Sequence, residues 1–203
     1  MLIFCGNTTV GPDWQVVEKK PPGFLRVYYV RGGDVLYTDD VCRKKLKPGH
    51  AYVFPSAAPY VMRQDPVRPL VCTFMHLDVF PGAVTRLIEM CVERDSALGN
   101  LLEGIACAID EGRDRLSEAL CSAFELYCRE ASFFSQPALP VAEVLRHIAE
   151  HSDRGISVEE LSRIAGYSAQ YFIRLFKRTM GATPHQYIME YRLRRAASLL
   201  QEQ

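Results

Sequence analysis

Residues 157–200 read SVEELSRIAGYSAQYFIRLFKRTMGATPHQYIMEYRLRRAASLL, and their caps and apolar spacing decide the fold of the C-terminal part of the chain. Ser157 with Glu160 three positions on forms a capping box, in which hydroxyl and carboxylate each satisfy an orphan backbone donor at a helix start. Val158, Leu161 and Ile164 then fall on one stripe, and Gly166 stands where the chain must reverse through a left-handed conformation. Ser168 is placed to cap a second helix, whose Phe172, Leu175 and Phe176 recur at i, i+3 and i+4 and bury against the first. Gln170, Ile173, Arg174 and Lys177 are left together on the outer face. The pattern is a helix-turn-helix.

That outer face carries the groups that reading a major groove requires. Gln170 can donate to and accept from an adenine edge, Arg174 can bind guanine, and Ile173 can touch a thymine methyl. Lys177 suits a phosphate, and Ser168 and Arg178 complete the candidate DNA-binding set. A merely solvated helix face shows the same periodicity, so both readings stay open at this point. From Arg163 to Arg195 the chain has seven basic residues (Arg163, Arg174, Lys177, Arg178, Arg192, Arg194, Arg195) against one acid, Glu190. Over the whole chain 24 basic and 24 acidic residues cancel, which excludes a protein that coats nucleic acid indiscriminately.

At these residues the sequence resembles the DNA-binding domain of the AraC/XylS family of bacterial transcription regulators. Phe172, Phe176-Lys177, Gly181-Ala182-Thr183-Pro184, Tyr187 and the run from Arg192 to Leu200 stand at the positions of the family pattern. The resemblance implies that Gln170, Ile173 and Arg174 are base readers. It also implies a second helix-turn-helix after the connecting helix, and the sequence ends at Gln203 without one. A monomer with one unit is expected to bind DNA weakly, and pairing of two chains to restore part of the affinity.

The N-terminal part has a different period. Leu25–Arg31, Asp34–Thr38, Val41–Leu46, Ala51–Phe54, Pro59–Arg63 and Leu70–Leu77 are short segments rich in Val, Tyr and Phe between turn residues, and predict antiparallel strands in a small barrel or sandwich. Gly32-Gly33 is expected to join the first two as a tight hairpin, and Pro48-Gly49 to form a type II turn. The stretch LKPGHAYVFPSAAPYVMR is similar to the strand, Pro-Gly turn, strand and proline loop of the cupin-like sensing domains of AraC relatives. The expected fold class is therefore α+β: a cupin-like antiparallel barrel, a helical dimerisation segment and an all-α helix-turn-helix.

Inward positions alternate along a strand, so Tyr29 with Arg31, Tyr60 with Met62, and Phe74 with His76 are the candidate ligand-binding pairs. Aromatic walls with one or two fixed donors suit a sugar or another small polar metabolite, while a filled core with Arg31 and His76 at the rim fits the same residues. Trp14 is placed to close the mouth from the N-terminal arm. No His-x-His pair or nearby carboxylate with ligand spacing occurs in the strands, so no metal or other cofactor is expected.

From Pro81 to Phe134 the spacing turns helical: Val84, Leu87, Ile88 and Cys91 on one stripe, then Leu101, Ile105, Cys107 and Ala108, then Leu116, Ala119, Leu120, Ala123, Phe124 and Tyr127. Family members pair subunits through such helices, which implies a homodimer here. Ser135 to Pro140 is a linker by composition, giving expected domains 1–80, 81–135 and 136–203. With 48% hydrophobic residues the chain can build real cores.

Seven cysteines without a C-x-x-C or a paired His read as buried reduced thiols. No export signal or membrane span is legible, so a cytoplasmic protein without membrane association is expected. No nucleophile or acid–base constellation is present to suggest an enzyme; the His147/His151 pair reads as a solvated helix face. Two functions fit: a regulator that binds operator DNA in response to a small-molecule effector, or a shortened sensor that binds ligand and partner subunits without specific DNA binding.

Overall fold

The computed structural model describes residues 2–19, 22, 24–78, 84–134 and 139–201, which form two compact units, one up to residue 134 and one from residue 139. The first unit contains nine strands: β1 (Leu2–Thr9), β2 (Gln15–Glu18), β3 (Leu25–Gly32), β4 (Val35–Thr38), β5 (Arg43–Lys45), β6 (His50–Val53), β7 (Tyr60–Gln64), β8 (Val71–Leu77) and β9 (Ile88–Cys91). They make two antiparallel sheets, ordered β1-β8-β3-β6-β9 and β2-β7-β4-β5. Two helices follow, α1 (Ala97–Asp110) and α2 (Asp114–Glu130).

Alternation on β3 shows how the layers stack. Leu25, Val27 and Tyr29 join α1 and α2 side chains (Leu102, Ile105, Phe124) in one core. Tyr28 and Val30 join Tyr37, Tyr60 and Met62 of the smaller sheet in a second. The larger sheet is thus covered on both faces, which is why residues 25–30 are all buried. This is the two-sheet, α+β architecture that the cupin resemblance implies.

The sandwich is clasped along one margin. Lys44 on β5 pairs with Glu89 on β9, and the Tyr52 hydroxyl donates to the same carboxylate at 2.9 Å. The opposite margin has β1 and β2 as edge strands, with Trp14 just before β2.

Two sequence expectations are corrected here. Gly32-Gly33 does not close a hairpin: β3 and β4 lie in different sheets, and Gly33, at φ +91°, carries the chain from one to the other. A Cβ on Gly33 would lie 2.1 Å from the Pro69 carbonyl oxygen, so only glycine fits under that crossing segment. Gly49 has φ +75°, as the expected Pro48-Gly49 turn requires. The second correction concerns the segment 81–135, which is not helical throughout, because Ile88–Cys91 is a strand on the edge of the larger sheet beside β6. Its apolar residues recur at i, i+3, i+4 and i+7 by chance of a strand following a loop. On α2 the buried stripe is Ser117, Cys121, Phe124 and Cys128, rotated from the expected one, so Leu116, Ala119 and Ala123 are exposed. The cysteines divide likewise: Cys72, Cys121 and Cys128 are buried, whereas Cys42, Cys91 and Cys107 are exposed.

The second unit is all-α: α3 (Leu139–Glu150), α4 (Val158–Ile164), α5 (Ala169–Met180) and α6 (Pro184–Gln201). Val144, Leu145, Ile148, Leu161, Phe172 and Phe176 are fully buried at its centre. No described helix is long and apolar enough to cross a membrane. Phe124 is fully buried between α2 and the larger sheet. Phe124→Ala is expected to destabilise the first unit by about 3–5 kcal/mol, read by denaturant unfolding followed through Trp14, the chain's single tryptophan.

Candidate nucleic-acid interface and barrel interior

Local chemistry sets the angle of α5. Ser157 accepts from the Glu160 backbone N–H at 3.0 Å and starts α4. Glu160 does not complete the expected capping box: its carboxylate accepts from Arg154 at 2.7 Å and lies 2.6 Å from His147 Nε2. Those partners hold its pKa down at about 2, with the Arg154 hydrogen bond as the largest cause and His147 next. His147 and His151 stack at 4.3 Å, and no metal-binding cluster is found among the described residues. Gly166, at φ +73°, turns the chain after α4. Ser168 is at the N-cap of α5 but makes no side-chain capping bond, so the helix start is held by packing.

Phe172 and Phe176 point into the core with their tilted rings 5.5 Å apart; Leu175 is half-buried beside them. Gln170, Arg174, Lys177 and Arg178 are exposed as a consequence, while Ile173 is half-buried at the edge of their face. Tyr167 and Tyr171, 39% and 44% exposed and 4.9 Å apart, flank that face at its N-terminal end. Sequence reading passed them over; two large aromatics outside the Phe172/Phe176 stripe were the available signal. Gly181, at φ +74°, ends α5. Thr183 and Gln186 then form the capping box that pattern reading missed: the Thr183 N–H donates to Gln186 Oε1 at 3.1 Å and the Gln186 N–H to Thr183 Oγ1 at 3.4 Å. Arg192 is not part of a free basic surface. Its Nε donates to the Ser152 carbonyl at 2.8 Å and its guanidinium also reaches the Arg154 carbonyl, tying α6 to the loop between α3 and α4. The side chains of Arg194 and Arg195 lie outside the described residues.

In the first unit the six candidate ligand residues do not share a face. Tyr29 and Arg31 face the helical layer: the Tyr29 hydroxyl donates to Glu103 at 3.1 Å, and Arg31 grips the same carboxylate at 3.2 and 3.0 Å. The parity was sound, but on a strand buried on both faces it does not say which face is which. Tyr60 and Met62 lie in the core between the sheets, 2% and 0% exposed. Phe74 and His76 line a recess of about 290 Å³ together with Phe4, Trp14 and Tyr28.

Deep in the same interior, Arg26, only 8% exposed, donates to Glu18 at 3.0 Å, to the Tyr60 hydroxyl, and through Nε to His76 Nε2 at 3.3 Å. Burial first, and the Arg26 charge second, pull the His76 pKa down to about 4, so the ring is neutral and carries its proton on Nδ1. Burial likewise pushes the Tyr60 phenol up to about 12. Arg26 escaped sequence reading because a charged residue inside an apolar run looks like a rim position.

This all-α unit buries one side of α5 and turns a polar, basic side outward, which is the form of a helix-turn-helix. Residues 148–189 match the family model described as bacterial regulatory helix-turn-helix proteins, AraC family. The chain is similar to the probable transcriptional regulator LumQ of Photobacterium leiognathi, 45% identical over 56 residues, covering 28% of this chain and 23% of that protein. The match thus spans about a quarter of the curated relative's length. Among solved structures the chain is similar to the AraC-like transcriptional activator CuxR, at 18% identity and TM-score 0.40, covering 87% of this chain and 68% of that one. It is also similar to ToxT from Vibrio cholerae, at 8% identity and TM-score 0.34, covering 92% and 97%.

The lowered His76 pKa fixes the sign of a pH effect. Between about pH 6.5 and 4 the unfolded chain takes up a proton at this residue and the folded one does not, so stability falls as pH falls through that window. His76→Gln is expected to flatten the slope of first-unit stability between pH 6.5 and 4, measured by urea unfolding at stepped pH with Trp14 fluorescence.

Proposed function

We propose that the chain is a cytoplasmic transcriptional regulator of the AraC type, in which α5 reads operator DNA and a small-molecule effector is sensed by the two-sheet unit. The observation that carries this reading is the outer face of α5: Gln170, Arg174 and Lys177 stand free while Phe172 and Phe176 hold the helix from behind. Gln170 and Arg174 have the donor and acceptor sets for base edges, and Lys177 and Arg178 the charge for phosphates. Ile173 supplies an apolar contact at the side of that face. Tyr167 and Tyr171 join the set as hydroxyl donors to the backbone at the helix start.

Pairing as a homodimer is part of the reading and is supported by α2, where Leu116 is 43% exposed alongside exposed Ala119 and Ala123. The sheets are assigned to sensing, α1 and α2 to pairing, and the unit from residue 139 to DNA.

The test is selection of bound duplexes from a random-sequence library by the full chain, repeated across a salt series. A sequence motif is expected, with the double variant Gln170→Ala, Arg174→Ala losing it at a cost of about 1–3 kcal/mol per contact. Lys177→Ala is expected to weaken binding to all duplexes alike and to reduce the salt slope by about 1. Binding that is indifferent to sequence and to the double variant overturns the reading in favour of a sensor that acts only through partner subunits.

A further inference from the structure

We propose that the recess at the open margin of the sandwich, between β1 and β2, takes an uncharged, flat, mainly apolar molecule of about two fused rings, held by one hydrogen bond to Tyr28. This deepens the sensor reading by naming the chemical class of the effector, and departs from the sugar that composition alone suggested.

Size sets the first limit. The recess holds about 290 Å³, roughly twice the ~150 Å³ of a dry apolar cavity that accommodates one benzene ring. Its walls favour a flat body: Phe4 and Phe74 rings lie 5.5 Å apart on one side, and Trp14 stands 6.3 Å from Tyr28 on the other. The Phe74 ring lies over Gly6, where a Cβ would come within 2.9 Å of it.

Charge sets the second. Arg26 does not line the recess, and its guanidinium is already engaged by Glu18, Tyr60 and His76. His76 does line it, as a neutral ring, and the thiol of Cys72 is kept protonated by burial. An ionised ligand would lose its hydration against walls that offer no full counter-charge, a penalty that such a molecule avoids by binding elsewhere. A sugar meets the same difficulty through its several hydroxyls: beyond Thr8, Tyr28 and His76 the walls are aromatic rings, Val10, Leu70 and a thiol, which leave most of those hydroxyls without a partner.

Tyr28 supplies the third observation. Its side chain is only 6% exposed and lines the recess, yet among the described residues no group hydrogen-bonds its hydroxyl. No fully buried polar side-chain atom in the described residues lacks a partner, so this hydroxyl is one that opens onto the recess. Burial raises its pKa above the ordinary phenol value, and it remains a neutral O–H. It can therefore donate to a ligand carbonyl, ether or ring nitrogen in a wall whose other polar side chains are Thr8, Cys72 and the neutral His76.

The experiment is calorimetric titration of the full chain with three probes: coumarin, a neutral bicyclic lactone with a carbonyl acceptor; coumarin-3-carboxylate, its anion; and glucose. Coumarin is expected to bind, the carboxylate at least 10-fold more weakly, and glucose without detectable heat. Tyr28→Phe is expected to weaken coumarin about 3- to 10-fold while leaving the thermal unfolding midpoint unchanged, since the hydroxyl has no partner to lose. Failure of coumarin to bind, equal or tighter binding of the carboxylate or glucose, or an unaffected Tyr28→Phe overturns the proposal. Operator affinity measured in the same samples separates it from the sensor reading. Coumarin bound with operator affinity unchanged keeps the site and sinks the sensor; a shift produced by glucose or the anion alone keeps the sensor and sinks the site.

Discussion

Burial of the larger sheet on both faces is the constraint from which the first unit follows. A strand with water on one side can spend every second residue on polarity, but β3 has six consecutive buried positions and must find a packing partner or a hydrogen bond for each. Leu25, Val27 and Tyr29 take the helices; Tyr28 and Val30 take the smaller sheet. The two charged residues of the strand then have prescribed roles. Arg31 reaches Glu103 on α1 and pins the helical layer, while Arg26 is drawn into a closed set with Glu18, Tyr60 and His76. Among the described residues, Tyr28 is the position of β3 whose polar side-chain atom has no protein partner, and it is left to meet something from outside.

The second unit obeys a simpler rule of the same kind. A twelve-residue helix cannot both bury and expose the same stripe, so seating Phe172 and Phe176 in the core determines which residues face out. What keeps the seat firm is polar: Glu160 bridges α4 to Arg154 and to His147 of α3, and Arg192 of α6 caps carbonyls of the intervening loop. Arg192, which a charge count assigns to a basic surface, is thus a structural tie, while Arg174, Lys177 and Arg178 of α5 are exposed.

The legibility of the sequence tracked how local the deciding physics was. The helix-turn-helix was readable because the Ser157 cap, the Gly166 reversal and the phenylalanine stripe lie within a few residues of one another. The six aromatic and β-branched strands from Leu25 to Leu77 were readable for the same reason. Ile88–Cys91 was not, since a four-residue strand satisfies helical spacing as easily as alternation and is decided by its pairing with β6. Gly33 was misread because its glycine answers to Pro69, distant in sequence, rather than to a hairpin. Tyr29 and Tyr28 could not be told apart before the layers were known, and the candidate ligand set inherited that ambiguity. Thr183 and Gln186, by contrast, were a local signal and could have been read.

The clasp of Lys44, Glu89 and Tyr52 along the β5–β9 margin has a mechanical consequence. The opposite margin is tied as well, by Glu18 of β2 to Arg26 of β3 and by Gln64 to the carbonyls of Gly11 and Pro12. The recess between β1 and β2 is therefore framed by strands fixed on both sides, and its shape is set before any guest arrives.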